Sequence, residues 1–421
     1  MPPAQTPSAT GAVANKNVGR PPAIALEQMI AGHTWHVVQP VGTFSHNLAV
    51  LTQMKLSDSA LSERRQSLGP EPWKDALLTA LRPLADPVLH PAAFYKGLRL
   101  VGVDGTTMNV GNTPVIKAKK IKTKSRRGLA AFFRIGCAAL CELGTHLPVA
   151  VRIGEHGESE GALAGSVVEQ IESNDLLIAD RYYGNGKWAA RLMGLPKQPQ
   201  FMVRVQQRLK ATTVEWFKDG SRLIAVNDPD STMPILLREI KGRVRRPGKR
   251  WVSVRFWTNL FDAALYPSHE LLALYVMRWE QEIAFREIKE HLHHEPILRS
   301  HTLITAVQEV CALFMAQAII CRARSAVGHR FQVPIMQVSY QKTLNACRNL
   351  CWLLSLPGVQ LSDNQMRAVI RALENDLARQ LSPPRRSRSC PRAVRQPIDK
   401  WPRLLKNTYQ NGAFQYEVKK S

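Results

Sequence analysis

The sequence has few acidic residues relative to basic ones. Its 421 residues contain 33 Asp and Glu against 57 Lys and Arg, so the formal net charge is +24 and the pI is near 10.1. A positive excess of this size is typical of proteins that bind a polyanion, and nucleic acid is the first candidate. The chain is also 45% hydrophobic, which is enough for two or three domains with sizeable cores.

Long apolar runs and export signals are lacking as well. The longest mostly apolar run, residues 310–320, is too short to span a bilayer. Residues 1–22 form a Pro/Ala/Thr/Gly tail rather than a basic and apolar signal peptide. We find neither a basic amphipathic helix nor a lipidation signal. We therefore expect no membrane partner and a cytoplasmic location.

Cysteine pairs with the spacing of a zinc site are absent. The seven cysteines are odd in number and lie in segments that have the pattern of core strands and helices, which favours a reducing compartment. Cys137 with Cys141, and Cys347 with Cys351, are spaced by four residues and not as CxxC pairs. Without such a pair, the histidines at residues 291–294 are interpreted as a polar helix end rather than a metal site.

The pattern of apolar residues divides the chain. Helical spacing from residue 24 to about residue 89 predicts an N-terminal helical DNA-binding domain at residues 23–95. Residues 98–205 change to short β-rich runs with two helical segments among the later ones, in the order β-β-β-α-β-α-β. Three meandering strands followed by parallel crossovers predict a mixed α/β sheet.

The second half of the chain returns to helices after a β-rich stretch. Residues 208–261 have the pattern of four further strands broken by Gly, Pro, Asn and Asp turns, which predicts an all-β insertion. We expect residues 262–325 to complete the α/β core begun by residues 96–207. Residues 326–381 are expected to form a C-terminal helical region. Residues 382–421 are basic and Pro-rich, which is typical of a tail that is disordered until bound.

One segment, residues 275–289, carries four polar side chains at steps of 3, 4 and 7. These stripe residues are Tyr275, Arg278, Glu282 and Lys289. On a 3.6-residue helix they form one face, and a phenol, a carboxylate and two cations suit a phosphate backbone and a metal better than an apolar core. The alternative is a solvated helix face with intrahelical ion pairs, although Arg before Glu is the less favourable order.

Two further acids follow apolar strands, where α/β sheets usually place their chemistry. They are Asp104 in Val-Asp-Gly-Thr-Thr and Asp180 in Ala-Asp-Arg-Tyr-Tyr. Taken singly, Asp104 with Gly105 has the pattern of a hairpin turn, and Asp180 that of a helix cap. If the first and fourth strands are adjacent, however, the two acids meet there, and a helix packed across the sheet brings Glu282 to both.

Three carboxylates without a nearby cation repel one another unless a divalent ion neutralises them. Oxygen ligands favour Mg²⁺, with Mn²⁺ as a substitute. Two such ions about 4 Å apart can stabilise the attacking and the leaving oxygen of a phosphodiester displacement. The acids therefore predict a two-metal site that acts on a phosphodiester.

The stripe residues and the two aspartates resemble a known family, the DDE transposases of bacterial insertion sequences. The branch concerned, insertion-sequence family four, carries the signature Tyr-x2-Arg-x3-Glu-x6-Lys, which the stripe residues match in type and spacing. The resemblance runs from about residue 98 to residue 324 and includes a His-x-x-x-Glu segment at residues 156–160.

This resemblance implies an RNase H-like core in which Asp104, Asp180 and Glu282 are catalytic metal ligands. It also implies that the three other stripe residues contact phosphates at the transposon end, which the N-terminal helical domain helps to recognise. The family uses a tryptophan of the β insertion to stack on a flipped base, and Trp251 and Trp257 are the candidates.

Two basic runs support DNA as the partner. Residues 117–127 and residues 241–255 each hold seven cations. Either run alone is explained equally well as a solvated loop, but two runs flanking a carboxylate site favour a channel that follows the DNA backbone. The candidate DNA-binding cations in them are Lys119, Lys120, Lys122, Lys124, Arg126, Arg127, Arg245, Arg246, Lys249 and Arg250.

These observations predict a cut-and-paste DNA transposase. Water would hydrolyse a phosphodiester at each element end, and the freed 3′-hydroxyl would attack target DNA. The expected partners are double-stranded DNA of the ends and of the target, and a second copy of the chain, in the bacterial cytoplasm at the nucleoid. Two rivals are a defective or domesticated derivative that binds DNA without cutting, and a two-metal nuclease acting on RNA or branched DNA.

Overall fold

The computed structural model describes most of the chain between residues 24 and 383. The described residues are 24–39, 41–119, 124–125, 128–154, 158–228, 233–245, 250–356, 358–383, 388–389, 410–411 and 415–418. The helices are α1 (Leu26–Val38), α2 (Phe44–Thr52), α3 (Asp58–Leu68), α4 (Glu71–Ala80), α5 (Pro114–Ala118), α6 (Glu160–Val168), α7 (Gly186–Met193), α8 (Ser268–Leu274), α9 (Arg278–Arg286), α10 (Leu303–Phe331), α11 (Tyr340–Ser355) and α12 (Asp363–Arg379).

The strands and the irregular helical turns complete the fold. The strands are β1 (Phe94–Tyr95), β2 (Leu98–Val110), β3 (Lys124–Ser125), β4 (Gly128–Leu129), β5 (Phe133–Glu142), β6 (Pro148–Ile153), β7 (Asp175–Ala179), β8 (Gln200–Arg204), β9 (Thr212–Trp216), β10 (Arg222–Val226), β11 (Ile235–Arg245), β12 (Val252–Thr258), β13 (Arg388–Ser389), β14 (Gln410–Asn411) and β15 (Gln415–Val418). A 3-10 turn (Tyr275–Met277) precedes α9, and a π-helical turn (Glu287–Leu292) follows it.

One large mixed sheet organises the molecule. Its strand order is β6-β5-β2-β7-β8-β12-β11-β10-β9, with β1 beside β2 and β15 beside β11. Strands β2, β5 and β6 form an antiparallel meander, and β7 and β8 run parallel to β2. A central first strand flanked by such a meander on one side and by parallel strands on the other is the RNase H-like arrangement, so the predicted fold class is confirmed.

The two faces of this sheet are covered by different helices. Along β2, Val101 and Val103 pack with α6, whereas the alternate residues face α9. All five residues of β7 are buried, which explains why it is one continuous apolar run rather than an alternating one. The core therefore lies on both sides of β2 and β7.

The β insertion extends this sheet instead of forming a separate body. Strand β12 pairs antiparallel with β8, and β11, β10 and β9 follow it outward. The four strands predicted within residues 208–261 are therefore all present. The pairing of Phe256 with Arg204 joins the insertion directly to the strand beside β7. The insertion is thus continuous with the central sheet.

The N-terminal helices differ from the separate domain expected from the sequence. Helices α1 and α4 pack on α10, and their apolar residues belong to the same core cluster as those of α10 and β5. Arg65 of α3 donates to Gln308 Oε1 at 2.9 Å and to the Thr305 carbonyl at 2.8 Å. Because α10 is buried along most of its length, it needs cover on the side away from the sheet, and these helices provide it.

Helix α10 is longer than the apolar run suggested. It spans 29 residues and is long and apolar enough to cross a membrane, but 78% of its most apolar window is buried inside the structure. It also buries polar groups that are hydrogen-bonded, since Gln308 Nε2 donates to the Arg65 carbonyl at 2.7 Å. These features are those of a core helix.

The basic tail also departs from the expectation of disorder, because β13 pairs with β14 and a further strand joins the main sheet. Residues Gln415–Val418 form β15, which pairs with residues 242–245 of β11, beyond the point where β10 ends. An open strand edge has unpaired N–H and C=O groups, and β15 satisfies those of β11. Tyr416 packs at the edge of the core cluster that contains Tyr275.

Candidate active site

Asp104 and Asp180 lie side by side on the sheet. Strands β2 and β7 are parallel, with Val103 opposite Ala179, so the next residue on each strand is an aspartate. By alternation both point to the face that carries α9. Asp104 does not end its strand, because β2 continues to Val110 against β5; it lies where β7 stops. This excludes the hairpin-turn reading of Asp104.

Asp180 is not a helix cap either. Its Oδ1 accepts a hydrogen bond from the Tyr182 N–H at 2.7 Å in the loop after β7, while α7 begins later and is capped by Asn185. The carboxylate is half-buried at the end of β7. Both aspartates therefore lie at positions set by the sheet, and neither caps a helix.

The electrostatics of the pair are those of a site with uncompensated negative charge. Burial, and next the Asp180 carboxylate, raise the pKa of Asp104 to about 7, although the Gly105 N–H and Arg278 act in the opposite direction. Glu160 contributes to the same rise. A carboxylate in this state favours a bound cation.

Glu160 is brought to the site from the other face. It is the first residue of α6, which Ser159 caps, and its side chain lies against Gly105. A Cβ at residue 105 would lie 2.4 Å from Glu160 Cγ, so only glycine allows this approach. Tyr183 donates from its hydroxyl to Glu160 Oε1 at 3.3 Å. The signal in the sequence was the His-x-x-x-Glu segment, whose His156 lies outside the described residues.

Helix α9 places Glu282 over β2. Gln281, the preceding residue, is buried against Gly102, where a Cβ would come within 3.1 Å of Gln281 Oε1. Gln281 Nε2 also contacts Cys141 Sγ at 3.4 Å. Glu282 projects from the next position of the helix, and Arg278 Nη2 donates to its Oε1 at 2.6 Å.

The four stripe residues do not share one uniform helix. Tyr275 lies in the 3-10 turn and packs on Phe256, with ring centroids 4.4 Å apart. Burial raises its pKa to about 12. Lys289 lies in the π turn, half-buried, and burial lowers its pKa while Cys137 and Asp104 act to raise it. The two ends of the stripe thus lie near the sheet, Tyr275 against β12 and Lys289 close to Cys137 of β5.

The stripe is also not the solvated face of the alternative interpretation. The intrahelical pair between Arg278 and Glu282 exists, but the Arg278 side chain is only 14% exposed. Tyr275, Glu282 and, at a lower level, Asp180 each raise the pKa of Arg278 against the effect of burial. Arg278 therefore lies between the acid of the helix and the acid of β7.

The three acids have the right ligand atoms for a divalent metal, but their side chains are not grouped around one point. Asp104, Asp180 and Glu282 offer the oxygen ligands that Mg²⁺ or Mn²⁺ prefers. Among the described residues, however, no three His, Cys, Asp or Glu side chains are grouped closely enough to hold a metal ion. The Glu282 side chain is 43% exposed and is bonded to Arg278.

Comparison with known proteins decides the family. Residues 95–319 match the model of the transposase DDE domain, which is more than half of the chain. The chain belongs to the DDE transposase family. It is 24% identical over 369 residues, covering 84% of this chain and 80% of the relative, to transposase InsG for insertion sequence element IS4 of Escherichia coli strain K12. A cryo-EM structure of a piggyBac transposase synaptic complex with hairpin DNA gives a TM-score of 0.41 at 10% identity, over 83% of this chain and 76% of that chain.

The protein is thus a DDE-type DNA transposase. The structure locates four of the ten basic residues that are predicted to bind DNA. Lys119 is exposed at the end of α5, Lys124 lies in β3, Arg245 ends β11 and Arg250 is exposed before β12. Six others lie outside the described residues: Lys120, Lys122, Arg126, Arg127, Arg246 and Lys249. Their DNA-binding role stays a prediction.

The two candidate tryptophans differ in the transposase. Trp257 is 1% exposed, packs in the core beside α7 and donates from Nε1 to Glu239 Oε2 at 3.2 Å, so it is a structural residue. Trp251 is half-buried beside the β11–β12 hairpin, with the guanidinium groups of Arg243 and Arg245 at 5.4 and 5.0 Å from its ring. Of the two, Trp251 is the more exposed.

A basic groove beside Asp180 was missed by the sequence analysis. A cleft of about 520 Å³ is lined by Arg181, Arg204 and Arg208, and it adjoins a larger cleft of about 700 Å³ that contains Lys210 and Lys241. Arg204 follows Val203, the partner of Ala179, so it lies beside Asp180 on the same edge. Each arginine is isolated in the sequence, and only the strand order brings them together.

Proposed function

We propose that this transposase moves its element by cut and paste. Water hydrolyses a phosphodiester at each element end, and the freed 3′-hydroxyl attacks target DNA. The observation that supports this most directly is the pairing of Asp104 with Asp180, where burial and mutual repulsion raise the pKa of Asp104 to about 7. Such a site is suited to a cation and, through it, to a phosphate.

The cofactors in this proposal are two Mg²⁺ ions, for which Mn²⁺ substitutes. When bound, they stabilise negative charge on the attacking and leaving oxygens of the phosphodiester. Asp104 and Asp180 hold them from the sheet and Glu282 from α9. Glu160, which lies against Gly105, adds negative charge on the opposite face and keeps the site attractive to cations.

Arg278 and Glu282 exchange partners in the same scheme. Arg278 holds Glu282 at 2.6 Å in the protein alone. A DNA phosphate offers the guanidinium two oxygens, which is a better match for its planar donors than one exposed carboxylate. Glu282 is then released toward the two aspartates, while Arg278, with Lys289, fixes the backbone of the element end.

The DNA partners follow from charge and from the number of reacting ends. A net charge of +24 suits the backbone of both the element ends and the target. An element has two ends and each chain has one acidic site, so a homodimer supplies one site per end. The helices α1–α4 are proposed to read the end sequence, and the protein to act in the cytoplasm at the nucleoid.

The test uses a plasmid that carries the coding region with its native flanking DNA. Purified protein with Mg²⁺ should release the element with 3′-hydroxyl ends and insert it into a second plasmid. Asp104→Asn, Asp180→Asn and Glu282→Gln should abolish cleavage but retain DNA binding in a gel-shift assay, because an amide is a poor ligand for a hard cation. Glu169→Gln, at the far end of α6, is the matched control and should cleave normally.

The same experiment separates the proposal from its rivals. DNA binding without cleavage by the wild-type protein would identify a defective or domesticated derivative. Cleavage without strand transfer, on RNA or on branched DNA as readily as on the element, would identify a nuclease. Undiminished cleavage by any one of the three acid variants would remove that acid from the site.

A further inference from the structure

His146 lies behind the helix that carries Glu282, in the turn between β5 and β6. It is fully buried, and its backbone is in the left-handed region, with a φ of 62°. Its Nε2 is 2.8 Å from Glu280 Oε2, and its Nδ1 is 2.8 Å from Glu287 Oε2. A single ring therefore bonds two carboxylates from one helical segment.

These two carboxylates flank Glu282 along the chain. Glu280 lies in the first turn of α9, and Glu287 opens the π turn that contains Lys289. Residues seven apart share a face of a helix, so His146 grips the face next to Gln281 and leaves Glu282 on the other side. Rotation of α9 by one residue would require both bonds to break.

The ring must be charged to make both bonds. A neutral imidazole donates from one nitrogen only, and its other nitrogen would then face a carboxylate with a lone pair. Although burial acts to lower it, Glu287 and Glu280 raise the pKa of His146 above its ordinary value. Conversely, burial acts to raise the pKa of Glu287, but His146 and Arg324 hold it at about 2.

Residues of β5 and α10 extend the hydrogen-bond network of His146 into the core. From β5, Glu142 accepts the His146 N–H through its backbone carbonyl at 2.9 Å, and its carboxylate is bonded to Arg99. From α10, Arg324 Nη1 lies 3.5 Å from Glu287 Oε1, and Gln317 Nε2 donates to Glu287 Oε2 at 3.3 Å.

Helix α11 closes the network. Tyr340 donates from its hydroxyl to Gln317 Oε1 at 2.6 Å. The helix of Glu282 is thereby tied to the turn after β5, to α10 and to α11 through buried polar groups. Such networks fix one geometry, because every alternative leaves a buried group unpaired.

We propose that His146 is a positioning residue for DNA cleavage: its imidazolium, bonded to Glu280 and Glu287, sets the rotation and height of α9 so that Glu282 faces the aspartates and Lys289 the DNA. This rests on the proposed function of the site. His146 touches neither metal nor DNA and acts through the helix.

The test compares His146→Gln with His90→Gln. His90 is also buried and bonds Ser325 of α10 at 2.9 Å, but it does not contact α9, so it controls for the loss of a buried imidazole. At equal DNA affinity, His146→Gln should slow single-turnover cleavage between about tenfold and a hundredfold, the cost of misplacing a reacting group by about 1 Å. His90→Gln should cleave at the wild-type rate. Equal rates for the two variants would overturn the proposal.

The pH profile separates positioning from a general loss of structure. Wild-type cleavage should lose its advantage over His146→Gln as the pH rises through the raised pKa of His146, because the neutral ring breaks one of its two bonds. A constant ratio of the two rates from pH 6 to pH 10 would contradict the charged clamp.

A milder variant and a second readout cover the case in which His146→Gln does not fold. Glu280→Gln removes the charge from one arm of the clamp and should slow cleavage, whereas Glu290→Gln, exposed in the π turn, should not. Amide hydrogen exchange of residues 278–292 should accelerate in Glu280→Gln and not in Glu290→Gln. If the wild-type protein cleaves no DNA, the proposed function fails, and unchanged exchange in Glu280→Gln would show separately that the clamp fails too.

Discussion

Arg278 donates a hydrogen bond to Glu282 at 2.6 Å. The side chain expected to bind DNA is therefore paired with the side chain expected to bind metal. In the protein alone, Glu282 is therefore engaged by Arg278. Under the proposed function the two ligands are coupled, because a phosphate that attracts Arg278 would free Glu282 for metal. Binding of DNA and of metal should therefore be mutually favourable.

The first prediction concerns the stability of the acidic site. The pKa of Asp104 is raised from its ordinary value of 3.8 to about 7, so the folded protein holds a proton there more tightly than the unfolded chain does. Ionisation of Asp104 consequently destabilises the fold progressively as the pH rises from about 4 to about 7. Asp104→Asn cannot ionise, and its melting temperature relative to wild type should rise over this range and then stay constant.

Above pH 7, Mg²⁺ should reverse the order of the melting temperatures, so that the wild-type protein melts higher than Asp104→Asn. A cation that binds only the folded state stabilises it, so Mg²⁺ or Mn²⁺ should raise the melting temperature of the wild-type protein and leave that of Asp104→Asn unchanged. Thermal melting from pH 4 to pH 9, with metal or with EDTA, measures both effects. Glu169→Gln should follow the wild type throughout; an equal metal response in Asp104→Asn would exclude Asp104 as a ligand.

The second prediction separates the two tryptophans of the insertion. Trp257→Ala should destabilise the protein by about 3 to 5 kcal/mol, because it leaves a cavity in the core beside α7 and removes one of the donors to the buried Glu239 carboxylate. Trp251→Ala should change stability by less than about 1 kcal/mol but weaken the complex with a DNA end, since it removes the more exposed aromatic face. Chemical denaturation and gel-shift titration on the same preparations check both. Wild-type DNA binding by Trp251→Ala would end its role as a stacking residue.

The third prediction concerns the basic run before β5. The logarithm of DNA affinity should fall linearly with the logarithm of salt concentration, and the slope should decrease by about 0.9 for each phosphate contact removed. Four lysines are neutralised together by substitution with Gln: Lys119, Lys120, Lys122 and Lys124. An equal change of charge on α11 and α12 serves as the control: Lys342, Arg367, Arg371 and Arg379. A slope that is unchanged by the first set would mean that the run is a solvated loop.

The sequence predicted the sheet well because its strands are apolar runs bounded by turn residues. The positions of β2, β5, β6, β7 and β8 were all anticipated. Helix α3 was not, since only Leu61 and Arg65 of its eleven residues are buried and it has no apolar stripe. Its start depends on the Ser57 cap, and its place in the fold depends on Arg65, whose partners lie over 230 residues away.

The sequence predicted that Asp104 and Asp180 meet if their strands are adjacent, and the structure pairs those strands, while the role of these acids and of Glu282 as metal ligands stays a prediction. Asp104, Asp180 and Glu282 could be recognised by residue type and spacing, and strand order then brought the two aspartates together. The groove of Arg204 and the clamp of His146 could not be found in this way, because their partners come from other strands and helices. The 3-10 and π turns around α9 are likewise tertiary effects that no 3.6-residue pattern contains.

The last prediction is that Arg278→Ala strengthens metal binding and slows DNA cleavage. Removing the Arg278 cation frees Glu282 and leaves the acids less neutralised, so Arg278→Ala should bind Mn²⁺ about two- to fivefold more tightly in the absence of DNA, as expected for losing a partly exposed ion pair. The same variant should cleave DNA more slowly, because a phosphate that Arg278 does not bind loses its alignment with the site.

Arg278→Lys should recover only part of the rate, since an ammonium cannot bond a phosphate with two parallel donors. Arg286→Ala, exposed on the same helix, should change neither quantity. Calorimetric Mn²⁺ titration and single-turnover cleavage measure the two effects, and weaker metal binding together with slower cleavage would show instead that Arg278 supports the fold of the site rather than competing for Glu282.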